Sequence, residues 1–169
     1  GSEIPEDASA VVVLGAESDL LEEELATLNP YRSQGGSLLL GIEPGGPSLD
    51  ALTSPLGVTA DTQVQLVHDS KFALITRRKV DRANLVTNEY STHPSVTELS
   101  RNNERMVFIA PGASLLTERA GGGKTTTTIR GMDGTWADKN RDYEFNAETE
   151  KRDNHALAIA ATGSIEDDN

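Results

Sequence analysis

Three stretches of this 169-residue chain bring together residue types that could do chemistry. The first is Gly134-Thr135-Trp136-Ala137-Asp138, which holds the single tryptophan, with Asp133 just ahead of it and Tyr143 and Phe145 behind. Asp133 and Asp138, if they converged at roughly 5 to 9 Å, would suit acid–base or nucleophilic work on a glycosidic bond. Trp136 would then stack on a sugar or on a partner side chain. The plainer reading is an indole that anchors a long loop to the core, and the sequence favours it. The second stretch, Glu43-Pro44-Gly45-Gly46-Pro47-Ser48, is a loop directly after an apolar run, the edge at which open α/β sheets bind their ligands. The third, Gly121-Gly122-Gly123-Lys124-Thr125, invites a phosphate-loop reading. Its spacing fails, because the first glycine of that motif would fall on Glu118, an anion facing the phosphates, and a threonine run rather than an amphipathic helix follows.

Other reactive constellations are missing. His68, His93 and His155 lie far apart, none at the spacing of a metal pair. His68 reads as a strand residue at the rim of a sheet and His93 as a structural residue before Pro94. Gly15 stands without the further glycines of a dinucleotide fingerprint. No serine sits between glycines at a strand-to-helix elbow, and Ser18 beside Asp19 is explained by helix capping. The chain has no cysteine, which excludes disulfides, thiolate metal sites and a cysteine nucleophile. No cofactor is called for, and Arg77, Arg78 and Lys79 read as a solvated basic turn.

The elements that would position these residues begin with a βαβ unit from Val11 to Pro44. Val11 to Leu14, and Leu38 to Leu40 with Ile42, are apolar runs without polar alternate positions, the pattern of strands covered on both faces in a parallel sheet. Between them Asp19 is placed to cap a helix with Glu22 as its capping-box partner, Leu21, Leu25 and Leu28 share a face, and Pro30 should end or kink the helix near Asn29. Leu49, Leu52 and Leu56 predict a short helix stopped by Gly57. Thr62 to His68 alternates as a half-exposed strand, and Phe72 to Thr76 and Asn84 to Thr87 are further strand candidates. Ser95 and Glu98 stand at capping-box spacing. Met106 to Ala110 predicts a second central strand, Ala120 to Thr128 a biased glycine–threonine segment, and Ala156 to Ala161 the last strand.

The expected architecture is therefore α/β, a mostly parallel sheet flanked by helices. Residues 1–7 read as a cloning scar (Gly1-Ser2) and lead-in, 8–163 as one domain, and 164–169 as an acidic tail, so the chain reads as an excised piece of a longer protein whose flanking membrane segments could have been removed. The 27 acidic and 15 basic residues give a net charge of −12, which argues against nucleic acid or an anionic membrane surface as a partner.

Several motifs in order, Tyr31-x-x-x-Gly35-Gly36-x-Leu38-Leu39-Leu40, Glu43-Pro44, His93-Pro94-Ser95-Val96-Thr97, Phe108-Ile109-Ala110-Pro111-Gly112-Ala113 and Thr135-Trp136, span nearly the whole chain. In this order they resemble the auxiliary domain of uncharacterised ABC-type transport systems, of the kind found in gliding-motility-associated proteins. Pro30 and the expanded glycine–threonine loop depart from that pattern. The resemblance implies a three-layer α/β domain of the class I amidotransferase-like, flavodoxin-like kind, related also to intraflagellar-transport-like folds. It further implies an extracytoplasmic, periplasmic position on a membrane-anchored bacterial protein, working beside an ABC permease and ATPase. It brings no catalytic residue. The leading expectation is a non-enzymatic binding or interaction domain, which can form a homo-oligomer, with Glu43, Pro44, Gly45, Gly46, Ser48, Trp136 and Asp138 as the candidate surface. The alternatives are a hydrolase or carbohydrate-processing enzyme using Asp133 or Asp138, and a purely structural scaffold.

Overall fold

In chain order the apolar and β-branched runs form β1 (Val11–Val13), the helix α1 (Glu22–Ser33), β2 (Leu38–Leu40), α2 (Asp50–Thr53), β3 (Val58–Asp61), β4 (Gln65–Val67), β5 (Asn84–Thr87), β6 (Glu89–Tyr90), α3 (Thr97–Arg101), β7 (Phe108–Pro111), β8 (Leu115–Glu118), β9 (Lys124–Arg130), β10 (Thr135–Asp138), β11 (Arg152–Asp153) and β12 (Ala156–Thr162). These come from a computed structural model that describes residues 3–75, 77–120 and 123–163. Gly1-Ser2, Thr76, Gly121-Gly122 and the acidic tail from residue 164 lie outside the described residues.

The expected parallel, flavodoxin-like sheet does not form. Among the described residues only β1 and β2 pair in parallel, with Val12 opposite Leu39. The largest sheet is five-stranded and antiparallel in the order β3-β8-β12-β9-β6. A three-stranded antiparallel sheet, β11-β10-β4, and an antiparallel pair, β5-β7, complete the architecture. The reason lies in the connections. Parallel neighbours need crossovers of a dozen or more residues, usually helical. Among the described residues only α1, with 12, is a helix of that length, since α2 has 4 and α3 has 5.

The apolar runs also face differently from the expectation. Val12 is 53% exposed and Leu39 60%, whereas Val11, Val13, Leu38 and Leu40 on the other face are half-buried, so the strand pair is open on one side. Met106, Val107 and Ile109 are exposed as well, and β7 pairs only with β5 instead of forming a central strand. The segment leading through β4 keeps the expected alternation at first, with Val64 and Leu66 buried, Gln63 exposed and Gln65 half-buried, but its end is covered on both faces, since Val67 and His68 are buried as well, so His68 is not at a rim. Leu66 packs with Leu85 and Ala113, and Ala110, Leu115, Ala137 and Leu157 close around them.

Local details follow from hydrogen-bond supply. The α1 N-terminus is capped from inside, where Glu24 accepts the Leu21 N–H at 2.8 Å, and Asp19 plays no part in it. The helix continues through Pro30 to Ser33, because the lost donor falls within the last turns and the Pro30 carbonyl still accepts from Gln34 N–H. Leu28 is buried beneath it, but Leu21 is exposed. His93, not Ser95, caps the next short turn: its ring nitrogen accepts from the Ser95 N–H at 3.2 Å. The strand expected over Phe72 to Thr76 does not form among the described residues: Phe72 closes a 3₁₀ turn (Ser70–Phe72), 73–75 are not extended in a ladder, and Thr76 lies outside the described residues. Asn84–Thr87 and Ala156–Thr162 are strands as expected, and Gly57, at φ 76°, ends the Leu49–Leu56 helical turns. No described helix is long and apolar enough to cross a membrane.

The two leucine environments give a direct test. Leu66→Ala should cost about 2 to 5 kcal/mol in urea unfolding, whereas Leu39→Ala should stay within about 0.5 kcal/mol. Equal costs for the two would contradict the one-sided covering of β2.

Candidate functional site

The long segment after β10 explains where the candidate residues sit. From Asp138 to Glu150 every second residue is an acid or an amide: Asp138, Asn140, Asp142, Glu144, Asn146, Glu148 and Glu150. Such side chains bond backbone N–H groups one or two residues on and so replace a ladder with turns. Asn140 accepts from Asp142 N–H at 3.3 Å, Asp142 from Glu144 N–H at 2.7 Å, and Asn146 from Glu148 N–H at 3.0 Å.

Two buried carboxylates tie this coil down. Asp138, fully buried, accepts the Arg141 N–H at 2.7 Å on Oδ1 and the Tyr143 N–H at 2.8 Å on Oδ2. Both donors stand in the left-handed region, with φ of 58° and 62°. That conformation costs roughly 1–2 kcal/mol for a residue with a Cβ, and bonds to a charged acceptor, about 1.5–3 kcal/mol each, offset it. Glu150 accepts from Lys139 N–H at 3.3 Å and Asn146 N–H at 2.8 Å.

Trp136 lies beneath the coil rather than on a surface. In the pairing of β10 with β4 and β11 it is opposite Val67 and Arg152, and it has no exposure to solvent. The guanidiniums of Arg82 and Arg152 lie 4.9 and 5.5 Å from its ring centroid, and Phe145 meets it edge-on at 5.7 Å. Arg82 is fixed by donating to the carbonyls of Tyr143 at 2.8 Å and His68 at 3.2 Å. Arg152 is fixed by Asp69 at 3.3 Å. The anchoring reading of the indole holds. Trp136 and Asp138 therefore leave the candidate interaction surface, since neither offers a contact to solvent.

The loop after β2 stays accessible and meets the coil. Glu43 and Gly45 are exposed, and Pro44, Gly46 and Ser48 are half-buried. Gly45, at φ 85°, donates to the Thr62 carbonyl at 2.7 Å, and Gly46 to the Glu43 carbonyl at 3.1 Å. Arg141 reaches the Thr62 and Gln63 carbonyls at 3.5 and 3.4 Å, so its guanidinium lies beside Gly45. Two loops separated by nearly a hundred positions thus meet on one backbone carbonyl, that of Thr62. Ser48 lines a shallow cleft of about 260 Å³ with Asp19, Leu20 and Asp50.

Asp133 and Asp138 are not brought together as a pair. Asp133 is exposed in the turn before β10, and Asp138 is buried at the far end of that strand. The strand alone spans about 10 Å, and both Asp138 oxygens are already occupied. Among the described residues, no group of three or more His, Asp or Glu side chains is placed to hold a metal ion. Glu118, which stood against a phosphate loop, accepts the hydroxyls of Thr125 and Thr127, and those hydrogen bonds hold its pKa below the usual range. Arg78 pairs with Asp81 and Lys79 with Glu144, the solvated arrangement read for that cluster.

Compared with known proteins, the chain matches no family model, no curated protein and no solved structure.

Sequence reasoning missed Arg82, Arg141 and Arg152, the cations that connect the coil to the sheet. Isolated arginines carry no spacing signal, although the period-two run of acids and amides was there to be read.

Two outcomes are expected. With its one tryptophan sealed, the folded chain should emit at short wavelength and resist iodide quenching, and Trp136→Ala should cost about 3 to 5 kcal/mol. His68 is buried with neither ring nitrogen bonded, and burial first, then the Arg82 charge, push its pKa down against the pull of Asp69. Below pH of about 6.5 the unfolded chain then binds the extra proton, so this one group should lower stability as pH falls, by at most about 1.4 kcal/mol per unit. Asp69, lowered chiefly by the Lys71 N–H, loses its contribution only below the ordinary carboxylate range. His155, also lowered by burial, adds the same sign as His68. Urea titrations between pH 7 and 5 should show a shallower slope for His68→Phe than for the unmodified chain.

Proposed function

We propose that this chain is a non-catalytic binding domain that works outside the cytoplasm, on a membrane-anchored bacterial protein, beside an ABC-type permease and ATPase. The observation that carries the non-catalytic part is the use made of the carboxylates. Asp138 and Glu150 spend their oxygens on backbone N–H groups, and Asp133 stands apart from them. An enzyme acting on glycosides or esters would need at least one such group free and aimed at a shared point.

What remains at the junction of the two loops is recognition chemistry. Glu43, Gly45 and the Arg141 guanidinium form a polar patch around exposed backbone, set by turns that the chain holds rigidly from within. Contacts of this kind give register and specificity to a protein partner. The transporter as partner rests on the order of the motifs around Tyr31, His93, Phe108 and Thr135 along the sequence.

The test is co-purification from detergent-solubilised membranes of cells that carry the full-length protein. A permease or ATPase subunit should be recovered, and Glu43→Lys together with Arg141→Glu should reduce its yield several-fold while the tryptophan emission stays unchanged. Failure to recover either subunit, combined with turnover of a glycoside or ester panel by the isolated chain, would overturn the reading.

A further inference from the structure

A strand bonds through alternate residues to the neighbour on each side, and β1 has a neighbour on one side only. The Val11 N–H donates to the Ser37 carbonyl at 2.9 Å and the Val13 carbonyl accepts from Gly41 N–H at 2.8 Å, so these two residues serve the pairing with β2. By parallel-strand geometry the N–H and C=O of Val12 then point to the opposite edge, where none of the described strands lies. Natural sheets blunt such edges with charge, proline or a covering segment. Here the edge strand is Val-Val-Val.

Beside that edge runs a groove of about 510 Å³ between the strand and the first turns of α1. Ile4, Val12, Leu14, Leu20 and Leu28 supply apolar lining, and Glu23 and Glu24 supply charge. Leu14 is 67% exposed, and Val12 and Leu39 lie side by side on the open face of the pair. Glu22, Glu23 and Glu24 are all exposed on the helix wall, with no basic residue until Arg32. A second copy of this chain would bring the same acids against one another, in a molecule that already carries −12.

We propose that the open edge of β1 is a strand-addition site for a partner protein's extended segment, with apolar residues at every second position and arginine or lysine at its ends. Backbone bonds to Val12 give the affinity, the groove and the Val12–Leu39 face take alternate side chains, and the α1 glutamates select the basic ends. This rests on the reading of the chain as a binding domain and names the chemistry of what it binds.

The probe is a fluorescein-labelled peptide of alternating valine and threonine with two arginines at each end, titrated into the 169-residue chain by anisotropy. Saturable binding is expected, weakened at least tenfold when the arginines are replaced by glutamates or when the chain carries Glu23→Lys. Amide exchange at Val12 should be fast in the free chain and slowed at least tenfold by the peptide. Val12→Pro removes a donor that β2 does not use, so it should abolish binding while Val11 and Val13 stay protected. A peptide N-methylated at alternate amides should fail to bind the unmodified chain, a control that does not depend on any variant folding. Binding by the methylated peptide, unchanged Val12 exchange, or equal affinity for the glutamate-ended peptide would overturn the proposal. Its failure is separable from that of the transporter reading. Permease recovery undiminished by Val12→Pro removes the strand site alone, and peptide binding without any transporter subunit removes the transporter alone.

Discussion

The buried carboxylate of Asp138 is the constraint on which the rest of the molecule turns. A charge with no exposure is tolerated only when hydrogen bonds replace its water, and here the replacements are two backbone N–H groups of the following coil. Accepting them forces Arg141 and Tyr143 into left-handed backbone. That bend sends the Arg141 guanidinium toward the second-strand loop and presents the Tyr143 carbonyl to Arg82, which lies over Trp136. The indole, the two loops and the central strand are thus positioned by one anion at the end of β10.

Around it the protein divides its work between two kinds of interface. The apolar core is small, centred on Leu66, Leu85 and Ala113. The region near Trp136 is instead a sandwich of aromatic rings and guanidiniums, each cation held in turn by a carbonyl or a carboxylate. Arginine suits this role because its planar head stacks on rings while its N–H groups still donate sideways. An acidic chain with few aromatics gains cohesion this way from residues that a hydrophobic pattern does not reveal.

How much was legible follows from the same division. Elements specified by local chemistry were readable: the βαβ unit, the leucine turn ended by Gly57, the Asn84–Thr87 strand and the anchoring role of Trp136. What misled was the rule that a polar-free strand is buried on both faces. Val11–Val13 and Leu38–Leu40 obey it in composition, but Val12 and Leu39 face solvent because the described residues supply one long helix, not several. The antiparallel order was hidden for a different reason. Ala120 to Thr128 read as a biased glycine–threonine segment, and only the partner Ala156–Thr162, far along the chain, turns the extended preference of its threonines into the seven-residue strand Lys124–Arg130. Pairing is non-local, and single-segment patterns do not encode it.

That non-locality has a consequence during synthesis. Strand β4, with Leu66 and Val67 sealed in the finished protein, pairs with β10, about 70 residues further on, and such long-range closure is intrinsically slow. At roughly 5 to 20 residues per second a ribosome needs several seconds to deliver that partner. Through this interval a Val-Gln-Leu-Val segment, Val64 to Val67, lacks the strand that pairs with its edge, although Leu85 and Ala113, made earlier, can already meet Leu66. The nascent chain therefore passes through a window in which an apolar strand edge stands unpaired, open to other chains until its own partner arrives.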